Sequence, residues 1–319
     1  MSDSKSVLVS GVKPTGDLHI GNYFGAMRQF VELSSEGKYR PFIFVADYHA
    51  LNTMQDAEEM RRRTREIVMA YIAVGLDPKQ IVFFKQSDVP AHTELAWIFD
   101  TLTTMPYLMR AHAFKDAEAK NKEINVGTFN YPMLMAADIL LYDAAIVPVG
   151  ADQKQHIEIA RDTAEKFNRI FKTDVFKLPE PYIMPEVAVV PGTDGQKMSK
   201  SYGNVIPLFG TRDELAKAVM SIVTDSSGDR PENVYRIHRL FRSEVNLDAL
   251  YEEHRGNYKG LKEMLVDDLD RYLAPMRTKY EELKQDSSLV DEVLASGKRE
   301  ARAISEVKME QVRKAIGVA

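Results

Sequence analysis

Lys197 and Lys200 stand in Lys197-Met198-Ser199-Lys200-Ser201, a cationic run between Gly192, Gly195 and Gly203. Paired ammonium groups suit phosphate, and flanking glycines give the backbone conformations closed to other residues. The run therefore reads as a clamp that moves over a bound polyphosphate. A solvated surface turn would account for two lysines equally well. More donors lie upstream, where the apolar Val7-Leu8-Val9 leads into Ser10-Gly11-Val12-Lys13-Pro14-Thr15-Gly16-Asp17-Leu18-His19-Ile20-Gly21-Asn22. Gly11, Pro14 and Gly16 break the chain, and from Asn22 to Leu33 Tyr23, Met27, Phe30 and Val31 approach helical spacing. The order is strand, turn, helix, with the helix beginning near His19 to Asn22. Its amino-terminal amides face the carboxyl end of the first strand, where open α/β sheets bind nucleotides. His19 and Asn22 add side-chain donors there, and Gly21 leaves room for a flat base against the backbone.

Pro14, then His19-Ile20-Gly21-Asn22, with Lys197 to Ser201 roughly 180 residues on, resemble the paired signatures of class I aminoacyl-tRNA synthetases. A third block runs from Tyr131-Pro132-Met133-Leu134-Met135-Ala136-Ala137-Asp138-Ile139-Leu140-Leu141-Tyr142 through Val147-Pro148-Val149-Gly150-Ala151-Asp152-Gln153-Lys154-Gln155-His156, on to Arg161-Asp162 and Phe167-Asn168. With it, the chain is similar to the bacterial tryptophanyl-tRNA synthetases along nearly its whole length. The resemblance implies ATP and L-tryptophan as substrates, Mg²⁺ with the nucleotide, tRNA(Trp) as partner, and a homodimer bridged by one tRNA. It implies that Lys197, Lys200, His19 and Asn22 act in catalysis. Gly21, Gly150, Asp152, Met198 and Ser199 would contact ATP, Gly150 by allowing close approach and Asp152 by accepting from ribose hydroxyls. Lys13, on the first nucleotide loop, would add a phosphate charge. Many relatives have Gln at Lys13 and Phe at Val9, so one adenylate contact and one wall of the pocket differ here.

An indole offers one N–H and a large apolar surface, so its selection calls for one buried acceptor in an apolar slot. Asp138, among Met135, Ala136, Ala137, Ile139 and Leu140, fits, and by resemblance it is the indole acceptor. A helix-surface or capping aspartate is the plainer alternative. Tyr131 and Gln153 match positions that hold the α-ammonium, and both offer oxygen acceptors, as would a core tyrosine and a helix-start glutamine. Met135, Val147 and Val149 line the slot or are simply core, and His49, after the second strand, sits at a sheet edge facing the site.

The 319 residues are 45% apolar, enough for one large core and a smaller module. With no cysteine, disulfides and thiolate metal sites are excluded, and no metal-ligand cluster stands out. The polar start, Met1 to Lys5, and the lack of a long apolar run point to a cytoplasmic protein with no membrane partner. Against 47 acidic residues stand 42 basic ones, a net charge of −5, so any tRNA surface must be local.

Pro41 to Asp47 and Ile81 to Phe84 read as buried parallel strands, and the segments between them as helices. Asp56 and Glu59 resemble a capping pair, Glu58 with Arg62 and Glu59 with Arg63 are spaced as ion pairs, and Arg61 to Arg65 reads as a solvated face. The alternation predicts a right-handed, doubly wound, Rossmann-type parallel sheet over 1–206. Phe114 to Lys122 reads as a helix or mobile insert, and the resemblance implies that the inserted region at about 105–135 is the dimer interface. From Leu208 strand-like runs vanish, and 207–319 reads as a smaller all-helical domain, by resemblance anticodon-binding, whose last helix is free to return to the catalytic domain. Arg230, Arg236, His238, Arg239, Arg242 and the basic stretch Lys298 to Ala319 are its candidate tRNA contacts. Three other functions fit parts of the pattern: tyrosyl specificity on the same scaffold, a small-molecule nucleotidyltransferase, and a paralogue that only binds tRNA or nucleotide.

Overall fold

Near-continuous apolar runs make strands that must be covered on both faces, and five of them form one sheet. In the computed structural model, residues 5–14, 16–111, 114–115, 118, 124–149, 154–183, 189–224 and 230–319 are described. The strands are β1 (Ser6–Val12), β2 (Tyr39–Val45), β3 (Val82–Lys85), β4 (Ile146–Val149) and β5 (Glu180–Ile183). They pair in parallel in the order β3-β2-β1-β4-β5, the doubly wound arrangement that the strand–helix alternation predicts. The order reverses between β1 and β4. β1 stays in register with β2 from Ser6 against Tyr39 to Val12 against Val45, whereas its ladder with β4 holds only Leu8 against Ile146. The carboxyl halves of β1 and β4 therefore part, and a crevice opens at the switch point where such sheets take ligands.

In chain order the α-helices are α1 (Ile20–Asn22), α2 (Arg28–Ser35), α3 (Asp47–Ala50), α4 (Ala57–Ala73), α5 (Ala91–Leu102), α6 (Met105–Leu108) and α7 (Val126–Leu140). They continue with α8 (Lys154–Phe171), α9 (Arg212–Met220), α10 (Glu232–His238), α11 (Glu244–Glu253), α12 (Tyr258–Gln285) and α13 (Ser288–Ile316). Period-two alternation sends Leu8, Ile43 and Phe83 to one face of the sheet and Val9, Phe42, Phe44, Val82 and Phe84 to the other. The first face shares its core with α2, α4 and the helices after 207, and the second with α5, α7 and α8. α13 supplies Val290, Val293 and Leu294 to the first core and Ala301, Met309 and Val312 to the second. It crosses the edge of β3 at Gly297, where an added Cβ would stand 1.9 Å from the Phe83 carbonyl oxygen.

The helix expected from Asn22 to Leu33 is interrupted, because Tyr23–Met27 makes a π-helical turn between α1 and α2. The wider turn lets Tyr23, Phe24 and Met27 all be buried. The Phe24 ring packs edge-on against Phe241 at 5.2 Å, and the Tyr23 hydroxyl lies 3.2 Å from that of Tyr272. The turn that carries His19 and Asn22 is thus fixed to the helices after 207. Asp56 caps α4 by accepting from Glu58 and Glu59 N–H at 2.9 Å, but Glu59 does not reach back as a capping pair would. Its carboxylate holds both Arg62 and Arg63, and Arg62 takes Glu66 rather than Glu58 as its second partner. Among the described residues no helix is long and apolar enough to cross a membrane.

Candidate active site

The crevice at the switch point is a cavity of about 540 Å³, walled by Val9 to Val12 of β1 and the following Lys13, by Phe44 of β2 and the following Ala46, and by Val147 to Val149 of β4. α7 closes one side. Its Tyr131, Met135 and Asp138 fall four and three residues apart, so they share the helix face that meets the cavity, where His49 joins them. These six expected tryptophan contacts (Tyr131, Met135, Asp138, His49, Val147 and Val149) therefore converge. Val9 also lies in the wall, and the ring of Phe44 crosses Gly11, where a Cβ would come within 2.7 Å of it. An aromatic wall is thus present, supplied from β2.

Asp138 is 1% exposed and neither a surface nor a capping residue. Its Oδ2 accepts from His49 Nε2 at 2.8 Å, while Oδ1 accepts from Gln86 Nε2 at 2.7 Å and from His92 Nδ1 at 2.6 Å. Burial pushes this carboxyl up, but the hydrogen bonds from His49 and His92 outweigh it and hold the group at about 2. It is a carboxylate at any physiological pH. Its apolar run made Asp138 visible in the sequence, whereas Gln86 and His92 were missed; polar residues just past the end of β3, facing the carboxyl edge of a parallel sheet, were the available signal. Asp47 ties the loops after β2 and β3 together by accepting from Ser87 N–H at 3.0 Å and Tyr48 N–H at 3.1 Å. The Tyr131 hydroxyl lies 2.9 Å from His156 Nε2, a second partner that the sequence did not disclose.

Beyond the carboxyl end of β1, the turn before α1 is stitched to the chain beyond the lysine run. Ile20 N–H donates to Ile206 at 3.0 Å and Leu208 N–H to Leu18 at 2.9 Å. His19 and Lys200 are thereby neighbours, and burial followed by the charge of Lys200 pushes the His19 ring down to about 4. At neutral pH the His19 ring is therefore uncharged, and its buried Nδ1 has no hydrogen-bond partner among the described residues. Lys200 is pushed down by its own burial, with Asp17 opposing the shift and Arg63 adding to it. Arg63 is therefore not only part of a solvated face: its guanidinium lies where a Cβ on Gly16 would stand, 2.8 Å from Nη1. Asn22 turns its Oδ1 back to accept from the His19 N–H at 3.1 Å.

Four expectations change. The gap left by Gly21 is taken by the chain itself, since a Cβ there would stand 2.8 Å from His19 Nδ1 and 3.2 Å from Met198 Cβ. Met198 is 4% exposed and belongs to the core, with its N–H bound to Val190 O, so its side chain is no nucleotide contact. The glycines around the lysines answer conformational needs: Gly195 and Gly203 hold positive φ, and Gly192 lets the Asn204 side chain approach. Asn204 accepts from Ser199 N–H at 2.7 Å and donates to Asp194 at 2.7 Å and to Lys197 O at 3.1 Å, which pins the run. Lys197 and Lys200 remain exposed beside it, and Lys13 is exposed at the cavity mouth. His238 is fully buried between Tyr251 and Asp268 and does not face RNA, whereas Arg242 is exposed but bound to the same carboxylate. Lys308 and Arg313 likewise bind Asp143 and Glu94 rather than present their charge. Gly150, Asp152 and Gln153 lie outside the described residues, as does most of Phe114 to Lys122.

The profile of the family described as class I tRNA synthetases (W and Y) matches residues 1–290. The tryptophan–tRNA ligase of Fusobacterium nucleatum is 46% identical over 318 residues, 97% of each chain. The crystal structure of tryptophanyl-tRNA synthetase from Campylobacter jejuni complexed with ADP and tryptophan superposes with a TM-score of 0.90 at 42% identity, covering 97% of this chain and 99% of that one. The enzyme from Mycoplasma pneumoniae superposes with a TM-score of 0.80 at 28% identity, over 99% and 98% of the two chains. An apolar cavity at the switch point, a buried carboxylate within it and two signatures stitched together at its mouth agree with these likenesses: the chain belongs to the class I tRNA synthetases for tryptophan and tyrosine.

Proposed function

We propose that the chain joins L-tryptophan to the 3′-terminal adenosine of tRNA(Trp), using ATP. The observation that carries this reading is Asp138: an ionised acceptor in an apolar slot asks for a flat ligand with one N–H donor. Tyr131 accepts from the α-ammonium, aided by Gln153, and Met135, Val147, Val149 and Phe44 pack on the ring. The tryptophan carboxylate attacks the α-phosphorus of ATP in line. The bond to the β-phosphate oxygen breaks, and tryptophanyl-adenylate and pyrophosphate result. No protein nucleophile is needed. Lys197, Lys200, Lys13 and Arg63 spread positive charge along the triphosphate, while His19 and Asn22 donate hydrogen bonds. Ser199, Gly150 and Asp152 hold the adenosine end. The terminal ribose hydroxyl of the tRNA, the 2′ one by class resemblance, then attacks the activated carbonyl and releases AMP.

Mg²⁺ accompanies the nucleotide in this reading. Among the described residues no group of three or more His, Cys, Asp or Glu side chains is arranged to hold a metal ion, so the chain offers no ready cage for it. A second copy of the chain is the proposed partner for α5 to α7, supported by the exposure of Trp97, Met105 and Val126 at 70%, 65% and 80%. Residues 207–319 are proposed to meet the anticodon arm, with Arg236 exposed there.

ATP–pyrophosphate exchange tests the reading. Tryptophan should support exchange and tyrosine should not; equal exchange with both would overturn it. Lys200→Ala should cost roughly 10²–10³ in activation rate, and Arg63→Gln about tenfold, both with tryptophan affinity unchanged.

A further inference from the structure

We propose that His92 is a positioning residue that makes the pocket demand an N–H on its ligand, by saturating one oxygen of Asp138 and leaving the other for the cavity. The inference rests on the tryptophan reading above and deepens it. A carboxylate oxygen accepts about two hydrogen bonds in good geometry. Oδ1 of Asp138 has its two, from His92 Nδ1 at 2.6 Å and Gln86 Nε2 at 2.7 Å, and both donors are fully buried residues that do not line the cavity. Oδ2 has one, from His49 at 2.8 Å, and both His49 and Asp138 line the cavity. One acceptor position is left, on the oxygen that faces the ligand.

His92 can do this only in one form. Its Nδ1 must carry the proton, and the Tyr142 hydroxyl, 2.8 Å from Nε2, fixes that form by donating to the other nitrogen. Among the described residues Tyr142 has no other hydrogen-bond partner, so its proton is committed to His92. Phe44 and Phe84 hold the ring at centroid distances of 5.8 and 6.1 Å, a nest that an aliphatic side chain would fill as well for packing alone. What an aliphatic residue lacks is the donor. Without it Oδ1 regains a free lone pair and the buried carboxylate can take a proton, after which it could turn an O–H toward the cavity and tolerate a ligand without N–H.

The experiment compares L-tryptophan with its benzothiophene isostere, in which sulfur replaces the ring N–H, by ATP–pyrophosphate exchange. The ratio of kcat/KM for the two measures the demand for N–H, and in one preparation it is insensitive to the folded fraction. His92→Leu should narrow that ratio roughly tenfold or more, and His92→Asn, which keeps an amide donor near the Nδ1 position, should restore most of it. An equal loss for both substrates, with the ratio unchanged, overturns the proposal. Should His92→Leu not fold, a long-range ¹H–¹⁵N spectrum of the unaltered protein decides: a proton on Nδ1 supports the proposal and one on Nε2 alone overturns it. Absence of tryptophan-dependent exchange in the unaltered chain would instead overturn the reading beneath it.

Discussion

His19, proposed to meet the phosphate, is an uncharged ring at neutral pH, and its protonation links the site to stability. The unfolded chain takes up this proton near the ordinary histidine value of 6.5, whereas the folded chain takes it up only near about 4, because burial and then Lys200 oppose it. Between those values the unfolded state binds more protons, so stability falls as pH is lowered through that window and is independent of His19 above it. Urea midpoints from pH 7 to 4 should therefore drop less steeply for His19→Gln than for the unaltered chain. Parallel curves would show that the ring is not held neutral. At this scale the sequence disclosed the residues whose neighbours along the chain betray them. Asp138 stood out in an apolar run and His19 in a glycine-broken turn, but the two donors to Asp138 that were missed, His92 and Gln86, come from 46 and 52 residues away, a separation no local pattern spans.

Among the elements, strands and their order followed from apolar runs and from the alternation with helices, because burial on both faces leaves a plain compositional trace. The π-helical turn left no such trace. It exists so that Tyr23 and Phe24 can both reach partners at Phe241 and Tyr272, which are tertiary neighbours. The lysine run shows the same limit: glycines that promise freedom in a sequence here serve the close approach of Asn204 and two left-handed turns. The contact of α13 with β3 is tighter still. Gly297→Ala should cost about 1–3 kcal/mol, since backbone atoms of Phe83 cannot move aside as a side chain can. Urea unfolding checks the magnitude, and amide exchange across Val82–Lys85 should rise with it. A neutral outcome would mean that the helix shifts along the strand at no cost.

For the whole molecule, the two cores are joined by one helix, so residues before and after 207 pack as one body although the composition changes there. The composition change was legible, as was the chance of the last helix returning, but not the sharing of one core by α4 and the helices after 207. Charge behaves alike: the basic stretch after Lys298 looked free for RNA, yet Lys308 and Arg313 are spent on Asp143 and Glu94. The proposed dimer is testable at this scale. Trp97, 70% exposed and the sole tryptophan, should shift its emission to the blue on assembly, and Trp97→Glu should move the sedimenting species toward monomer. An unchanged distribution would place the contact elsewhere. The crossing of α13 over β3 also sets a clock. On a ribosome adding roughly 5–20 residues per second, Phe83 waits about 10–40 s for Gly297 to be made. Throughout that interval one edge of the nascent sheet stands open to pairing with other chains, so the interval between making β3 and covering it is when this protein most needs a chaperone.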